Sequence, residues 1–305
     1  MKKIKYIFII STLFVVSCIK EIKIKTDTIE KLPVVNCIFN PDSVFKVYLS
    51  FPVEIINNKP SYIEDANIKI TGSNNTSFNL YYTGKNGIYK TSEKPEIEVL
   101  YKLEVNVPGY KTVTANDKIP ESALIDNVEY YYDIDPLNET DTIYYANVTF
   151  SDNKNKKNYY DFINFYYNNK KKEYLLHYWL PPKFVIDPVL IAEGNSNYYP
   201  TSDFFSDVLI NGQKYTLTIF GYPSYDIEFR TTSKNYYLFR KFWTRHFYNQ
   251  NNDQNIGNDF EDIDFTELLF SGEPIEMFTN IENGYGIFAG YSCDVWFSET
   301  SKSNF

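Results

Sequence analysis

The residue with the clearest chemical potential is Cys18, a thiol placed at the end of a short apolar run. The chain begins with a lysine-rich segment and continues with the apolar stretch Tyr6–Val16. A membrane-spanning helix needs about 20 apolar residues, so this run is too short to cross a bilayer and has the length of a signal-peptide core. A thiol at that position can form a thioether, and Cys18 is therefore predicted to be modified.

The three residues before the cysteine are Val15, Val16 and Ser17, two branched apolar residues and one small residue. This pattern resembles the lipobox of bacterial lipoproteins, in which the thiol receives a diacylglyceryl group and a signal peptidase cuts just before it. The resemblance makes Val15, Val16 and Ser17 the peptidase recognition residues and Cys18 the lipid anchor. Acyl chains at about 0.8 kcal/mol per buried methylene hold such a protein on the membrane. The alternative is an ordinary secretory signal peptide with a chance cysteine.

The remaining cysteines are Cys37 and Cys293. In an oxidising envelope they could form one disulfide, and the alternative is a pair of buried free thiols. The covalent lipid on Cys18 is the only attached group that the sequence predicts, and no other cofactor is expected.

Catalytic and metal-binding patterns are scarce. The two histidines, His177 and His246, lack zinc-site spacing and are interpreted as packed or half-exposed aromatic residues. The segment Gly284–Gly290 has the wrong spacing for a dinucleotide loop, and its glycines predict tight turns and close packing. The sequence contains no nucleophile elbow, Walker loop or Cys-x-x-Cys pair.

Two further groups of residues have a chemical and a structural interpretation. Acidic residues in a polar loop could gather around calcium, but they lack the EF-hand order, which favours a solvated loop; they are Asp253, Asp259, Glu261, Asp262 and Asp264. Aromatic residues could stack on a sugar, but core packing is favoured in a chain with 18% aromatic residues; they are Tyr178, Trp179, Trp243 and Trp296. A pair of carboxylates for glycoside hydrolysis stays an open alternative, because neighbouring strands can bring together acids that are distant in the sequence.

The charge balance excludes some partners. The formal net charge is -9, and it becomes -12 if residues 1–17 are removed, because they contain three lysines and no acid. An acidic protein repels phosphate backbones, so nucleic acid is not expected as a partner. Contact with the membrane is expected through the lipid.

The elements that must position these residues are mostly strands. After a charged tether at residues 18–31, short alternating runs separated by turn residues predict an N-terminal β-sandwich, immunoglobulin-like or transthyretin-like, over residues 32–120. In one run, Ile68 and Ile70 alternate with Lys69 and Thr71, which predicts one buried and one exposed face.

Residues 121–305 are predicted to form a second β-rich domain with one amphipathic helix near residues 233–250. Phe239, Phe242, Trp243 and Phe247 follow helical spacing there, and Thr232 or Ser233 can cap the start. We expect this helix to lie on a sheet as part of the core.

Several segments resemble a known family. They are LPVVNCIFNPDSVFKVYLS, IEDANIKITG, GIYKTSEKPEIEVLYKLEVNVPGYKTVTANDKIPES and PIEMFTNIENGYGIFAGYS. In this order they resemble domain of unknown function 4249, lipoproteins of Bacteroidota. The resemblance implies an outer-membrane lipoprotein, often encoded beside a TonB-dependent transporter, without established activity or catalytic residues. Lys20-Glu21 is a short version of the acidic tag that sends such lipoproteins to the cell surface, so the cell-surface and periplasmic faces both stay open.

These observations predict a lipid-anchored outer-membrane protein that binds rather than catalyses. The leading hypothesis is a binding or accessory module that works with a TonB-dependent transporter in nutrient uptake, with an unknown ligand. The alternatives are a structural or assembly lipoprotein of the envelope and, less favoured, an envelope hydrolase.

Overall fold

The alternating runs of the sequence form strands. The computed structural model describes residues 31–53, 61–135, 138–168, 173–176, 183–184, 187–193, 203–220, 226–251 and 276–298. These residues are mainly β, which confirms the predicted fold class. The described residues from Leu32 onward belong to one compact unit.

The first half of the chain contributes eight of the described strands. They are β1 (Val34–Phe39), β2 (Lys46–Phe51), β3 (Ser61–Tyr62), β4 (Asn67–Gly72), β5 (Ser77–Tyr82), β6 (Ile88–Lys90), β7 (Leu100–Asn106) and β8 (Val113–Lys118). Ile68 and Ile70 are buried whereas Lys69 is exposed, so the predicted alternation is confirmed. The strands enclose a first core of aliphatic and aromatic side chains.

Aromatic rings form the centre of this first core. Phe39 and Phe45 lie with ring centroids 5.1 Å apart, and Tyr101 meets Phe45 edge-on at 5.0 Å. Phe288, from near the end of the chain, lies 4.7 Å from Phe39. The first core therefore includes a residue from the C-terminal part of the chain.

The second half contains longer strands and two α-helices among the described residues. The strands are β9 (Ile125–Asp135), β10 (Asn138–Ser151), β11 (Tyr159–Asn168), β12 (Glu173–Leu176), β13 (Lys183–Phe184), β14 (Asp203–Ser206), β15 (Lys214–Phe220), β16 (Asp226–Thr232) and β17 (Tyr285–Trp296). The helices are α1 (Pro188–Glu193) and α2 (Lys234–Asn251), and Asp207–Leu209 forms a 3-10 turn. The short helix α1 was not predicted.

The described strands form a large sheet and a small one. The large sheet has the order β12-β11-β16-β17-β1-β2-β6-β5-β4-β7-β8, with β14 on β11 and β3 on β2. The small sheet has the order β13-β15-β10-β9. Side chains of the small sheet, such as Phe150, pack on β11 and β16, where Phe162 and Phe229 belong to a second core.

Strand β17 is shared between the two halves. Its first part pairs in parallel with β1, from Tyr285 opposite Val34 to Gly290 opposite Phe39. Its second part pairs in antiparallel fashion with β16, from Tyr291 opposite Thr232 onward. The large sheet is therefore continuous across the predicted boundary between residues 120 and 121. Independent folding of the two predicted domains stays a prediction.

The predicted helix is present as α2, and its cap is Ser233. The hydroxyl oxygen of Ser233 accepts a hydrogen bond from the Tyr236 N–H at 3.1 Å. No helix among the described residues combines the length and apolar character needed to cross a membrane.

The buried face of α2 differs in part from the prediction. Its buried side chains are Tyr236, Tyr237 and Thr244, whereas Phe239, Phe242 and Trp243 are half-buried. The side chain of Phe247 lies outside the described residues. The two buried tyrosines each place the hydroxyl group on a carboxylate, because Tyr236 donates to Asp161 of β11 and Tyr237 donates to Glu193 of α1.

Candidate functional site

Several predicted site residues lie outside the described part of the chain. They are the anchor residue Cys18 with Val15, Val16 and Ser17, the residues His177, Tyr178 and Trp179, and the acidic loop from residue 253 to 264. The lipid anchor and the interpretation of the acidic loop as a solvated loop therefore stay predictions.

The two later cysteines are both free thiols. Cys37 is buried on β1 opposite Phe288, and Cys293 lies five residues farther along β17. That offset corresponds to about 16 Å along a strand, whereas a disulfide needs Cα atoms closer than about 7 Å. The sequence left open one disulfide or two free thiols, and the structure has two separate free thiols. Burial raises the pKa of the Cys37 thiol and raises that of Cys293 to about 12, so neither is an activated nucleophile.

The glycines of the terminal segment allow close packing, as predicted. Gly286 has a φ of +104°, and a Cβ atom there would lie 2.1 Å from the Val35 carbonyl oxygen. A Cβ atom on Gly290 would lie 2.6 Å from the Lys118 carbonyl oxygen. Both glycines bring β17 against the backbone of the first half, so the predicted close packing is confirmed.

Two of the aromatic residues considered for sugar stacking, Trp296 and Trp243, lie in the described part of the chain. Trp296, at the end of β17, packs against the second core. Trp243, on α2, is half-buried, and the Arg240 guanidinium lies 5.2 Å from its ring centroid. His246 is also half-exposed on α2.

A cavity of about 300 Å³ lies between residues 121–126 and the strands beside them. It is lined by Glu121, Leu124, Asp152 and Lys156 among others, and Lys156 pairs with Glu121 at 3.2 Å. This volume is at the lower limit of ligand pockets. The Ala123 N–H donates to Thr231 Oγ1 at 2.8 Å, so the segment beside the cavity is held on β16.

The buried carboxylate of this cavity, Asp152, is occupied by internal donors. Its oxygens accept hydrogen bonds from Asn158 Nδ2 at 3.0 Å, from the Gly212 N–H at 2.6 Å and from the Tyr160 hydroxyl. Burial, followed by this contact with Asp152, raises the pKa of Tyr160, which therefore stays a donor. A carboxylate with three internal donors fixes loops and strands, and this geometry supports a structural role for Asp152.

A second buried acid, Glu193, joins α1 to α2. Its oxygens accept hydrogen bonds from the Ser206 N–H at 2.8 Å and from the hydroxyls of Ser206 and Tyr237, and Lys241 Nζ lies 2.9 Å away. Burial raises the pKa of Glu193, but these donors outweigh it and hold the pKa below its usual range. These contacts hold α2 against α1 and β14.

A third buried network lies between α2 and the large sheet. The Tyr236 hydroxyl donates to Asp161 Oδ2 at 2.8 Å and accepts from the Arg230 guanidinium at 2.9 Å. Arg230 also pairs with Glu228 at 2.6 Å and lies 4.3 Å from the ring centroid of Tyr291. Arg230 therefore has both a partner of opposite sign and an aromatic face, as a structural network requires. Asp161 Oδ1 is buried without a hydrogen-bond partner among the described residues. Within the described ranges, no cluster of His, Cys, Asp or Glu could hold a metal ion.

The surface that differs most from the packed interior is the outer part of the β9–β10 hairpin. We call residues 131–135 and 138–144 the distal ribbon. Val128 and Val148, near the base of the hairpin, are buried in the second core. The described pairing of β15 with β10 starts at Tyr145. Among the described residues, the distal ribbon therefore consists of β9 and β10 alone. Residues 131–134 are exposed one after another, so both faces of β9 meet solvent there.

Large aromatic side chains cover both faces of the distal ribbon. Tyr132 and Ile134 share one face and are 72% and 59% exposed. Tyr131 lies on the other face and stacks on Tyr145 of the opposite strand, with ring centroids 4.9 Å apart. Tyr132 faces Tyr144 across the strands at 6.3 Å. Such cross-strand aromatic pairs stabilise an exposed ribbon and also present rigid apolar surface.

The hairpin is also strongly acidic. Residues 125–151 contain six acidic residues and no lysine, arginine or histidine. Of these acids, Glu129 and Asp133 are exposed, and neither takes part in an ion pair with another described residue. At the base, by contrast, Asp126 pairs with Lys214 at 3.3 Å. An apolar and acidic surface of this kind suits a basic partner.

The sequence predicted a β-rich domain over residues 121–305 but not the exposure of the tyrosines in this hairpin. The missed signal is in the sequence: residues 119–153 contain no basic residue, although tyrosines are frequent among them. Alternating aromatic residues usually indicate burial. A long stretch whose charged residues are all acidic indicates an element that faces solvent.

The fold and this surface define a mainly β protein whose large sheet is completed by a shared C-terminal strand and whose hairpin presents an acidic, tyrosine-rich ribbon. The chain belongs to the family described as Domain of unknown function (DUF4249), whose model matches residues 19–294. The family resemblance noted in the sequence is thereby confirmed. No curated protein matches the chain.

Proposed function

We propose that this protein is a lipid-anchored outer-membrane protein that acts as a non-catalytic binding or accessory module beside a TonB-dependent transporter in nutrient uptake. The observation that carries the binding role is the distal ribbon, which exposes Tyr131, Tyr132 and Ile134 next to acids without described ion pairs. Tyrosine is enriched at protein interfaces, where it supplies contact area at little entropic cost.

The anchor and the ribbon have complementary roles in this proposal. A lipid on Cys18 would restrict the body to one membrane surface, which raises its effective concentration near a co-resident membrane protein. The acidic hairpin would then select a partner with basic exposed loops, and association should weaken as salt screens the charges.

The buried acids support a non-catalytic role. Asp152 and Glu193 each accept hydrogen bonds from several internal donors. Such carboxylates hold elements together and have few lone pairs left for a substrate.

The test is co-purification of the native lipoprotein from detergent-solubilised outer membranes at low and high salt, with partners identified by mass. Stoichiometric recovery of one membrane transporter at low salt, reduced at high salt, is the expected result. Recovery of no partner at either salt concentration would overturn the binding role. An activity screen on glycan and peptide substrates accompanies it, and turnover abolished by a single carboxylate substitution would overturn the non-catalytic role.

A further inference from the structure

Strand β9 lies at the end of the small sheet. Among the described strands, it pairs with β10 on one side, and no strand pairs with its other side. An edge strand presents main-chain N–H and C=O groups that another strand can pair with. The first residue of this edge is occupied, because the Ile125 N–H donates to Asp294 Oδ2 at 2.8 Å. The available edge therefore lies farther along β9, toward the distal ribbon.

This edge lacks two common protective features. Natural sheets often block exposed edges with lysine or proline, and Ile125–Asp135 contains neither. It contains four acids instead, which are Asp126, Glu129, Asp133 and Asp135. Acids in both edges would repel a second copy of the same strand, whereas they would attract a basic one.

Side chains beside the edge can contact an added strand on both faces. Tyr132 and Ile134 point to one face, and Tyr131 points to the other. Strand addition takes its affinity from main-chain hydrogen bonds and its specificity from alternate side chains on each face. The distal ribbon provides the apolar contacts, and Glu129 and Asp133 provide the charge.

We infer that β9 is the docking edge for an extended basic segment of a partner protein, which adds to the small sheet as a further strand. This inference rests on the proposed binding function and specifies its mode. The partner segment should alternate lysine or arginine with apolar residues, so that its charges lie on the face of Glu129 and Asp133 and its apolar residues lie on the face of Tyr132 and Ile134.

The probes are three synthetic peptides added to the purified full-length lipoprotein in detergent. One alternates lysine and valine, the second replaces lysine by glutamate, and the third is the lysine peptide N-methylated at alternate residues. N-methylation removes the donors of one peptide edge while the charge stays the same. Affinity is measured by fluorescence anisotropy, and amide protection of residues 125–135 by hydrogen exchange with mass spectrometry.

The lysine peptide should bind saturably and slow exchange within residues 125–135, and the other two peptides should bind at least about tenfold more weakly. Absence of binding, equal binding of the N-methylated peptide, or protection confined to other segments would each overturn strand addition. Self-association of the protein through this edge, detected as a dimer with the same protection and no peptide binding, would also overturn it.

Matched variants separate local charge from total charge. Glu129→Lys with Asp133→Lys should weaken the lysine peptide at least about tenfold. Asp42→Lys with Asp65→Lys changes the net charge equally at exposed positions elsewhere and should leave affinity within about twofold. A Tyr132→Ser and Ile134→Ser variant, which keeps the charge, should also bind more weakly. Equal effects of both charge reversals would overturn the inference. If a membrane partner co-purifies but β9 is not protected, strand addition fails while the proposed function stands.

Discussion

The Ser233 hydroxyl donates a hydrogen bond to the carboxylate of Asp117, although 116 residues separate them in the chain. The same Asp117 oxygen accepts from the Gly290 N–H at 3.2 Å, and the Ser233 N–H donates to the Gly290 carbonyl at 3.0 Å. One carboxylate therefore links β8, the start of α2 and the middle of β17. These three elements come from distant parts of the chain, so the contact joins its two halves.

Asp117 should make stability depend on pH in an unusual direction. Burial raises its pKa from 3.8 to about 6, despite its hydrogen bonds. Because the folded carboxyl group binds its proton more tightly than the unfolded one, this contribution stabilises the fold below about pH 4 and is lost as pH rises through 6. The shift corresponds to a change on the order of 3 kcal/mol. Urea unfolding of the wild type and Asp117→Asn between pH 4 and 7 measures it.

The difference in unfolding free energy between Asp117→Asn and the wild type should move in favour of the variant as pH rises from 4 to 7. Asp126→Asn is the control, because the Ser151 hydroxyl lowers the pKa of that exposed carboxyl group. The difference in unfolding free energy between Asp126→Asn and the wild type should move in favour of the wild type as pH rises, and by a smaller amount. A pH-independent difference for Asp117→Asn would contradict this assignment.

Glu193 should show the opposite pH dependence. Burial raises its pKa, but hydrogen bonds from Ser206, Tyr237 and Lys241 hold it below the usual range. Its contribution is present above the unfolded pKa and is lost as pH falls through the folded one. Glu193→Gln should lower the unfolding free energy at pH 7 by about 3 kcal/mol, because it leaves Lys241 half-buried without its partner.

The Glu193→Gln effect should shrink at acidic pH, as the wild-type carboxyl group takes up its proton below the usual pKa range of a glutamate. Denaturant unfolding of Glu193→Gln and Tyr237→Phe at pH 7 and at a series of lower pH values tests this. Tyr237→Phe removes one donor and keeps the ion pair, so it should cost about 1 kcal/mol. Equal losses for the two variants would show that the charge of Glu193 contributes little.

The alternating runs and the helix could be predicted because both signals are local. Ile68 and Ile70 show the strand period, and Ser233 has the residue type of a helix cap. The parallel pairing of β17 with β1 could not be predicted, because Gly286 and Val35 are far apart in the chain and their pairing depends on the complete sheet. The buried face of α2 was missed in part, because tyrosine is buried there through hydroxyl contacts that periodicity does not encode.

Gly286 should be among the least replaceable residues of β17. It combines a positive φ with a Cβ position only 2.1 Å from the Val35 carbonyl oxygen. Gly286→Val should therefore lower the unfolding free energy by more than about 3 kcal/mol. Gly109→Val is the matched control, because Gly109 has a φ of +82° but open space around its Cβ position, and it should cost only about 1–2 kcal/mol. Thermal melts compare the two variants, and equal losses would assign the effect to backbone strain alone.

A fragment of residues 32–120 tests the proposed two-domain organisation. It retains most of the first core but lacks Ile281 and Phe288, which are buried in that core. Loss of a buried phenylalanine costs about 3–5 kcal/mol. We expect β-type circular dichroism and a cooperative melt at a lower temperature than in the full chain. A peptide of residues 276–298 added in trans should raise that temperature. A disordered or aggregated fragment would show that the two halves share one folding unit.

Cys18→Ala should release the protein from the membrane or leave it unprocessed. The reason is that only the thiol can form the thioether, and the apolar run Tyr6–Val16 is too short to span a bilayer. Membrane fractionation and intact-mass measurement test this, since the wild type should begin at Cys18 and carry the mass of its acyl chains. Cys37→Ala is the control, because that free thiol is buried in the first core and should not affect the distribution. Outer-membrane fractionation of Cys18→Ala, equal to the wild type, would show that another part of the chain holds it there.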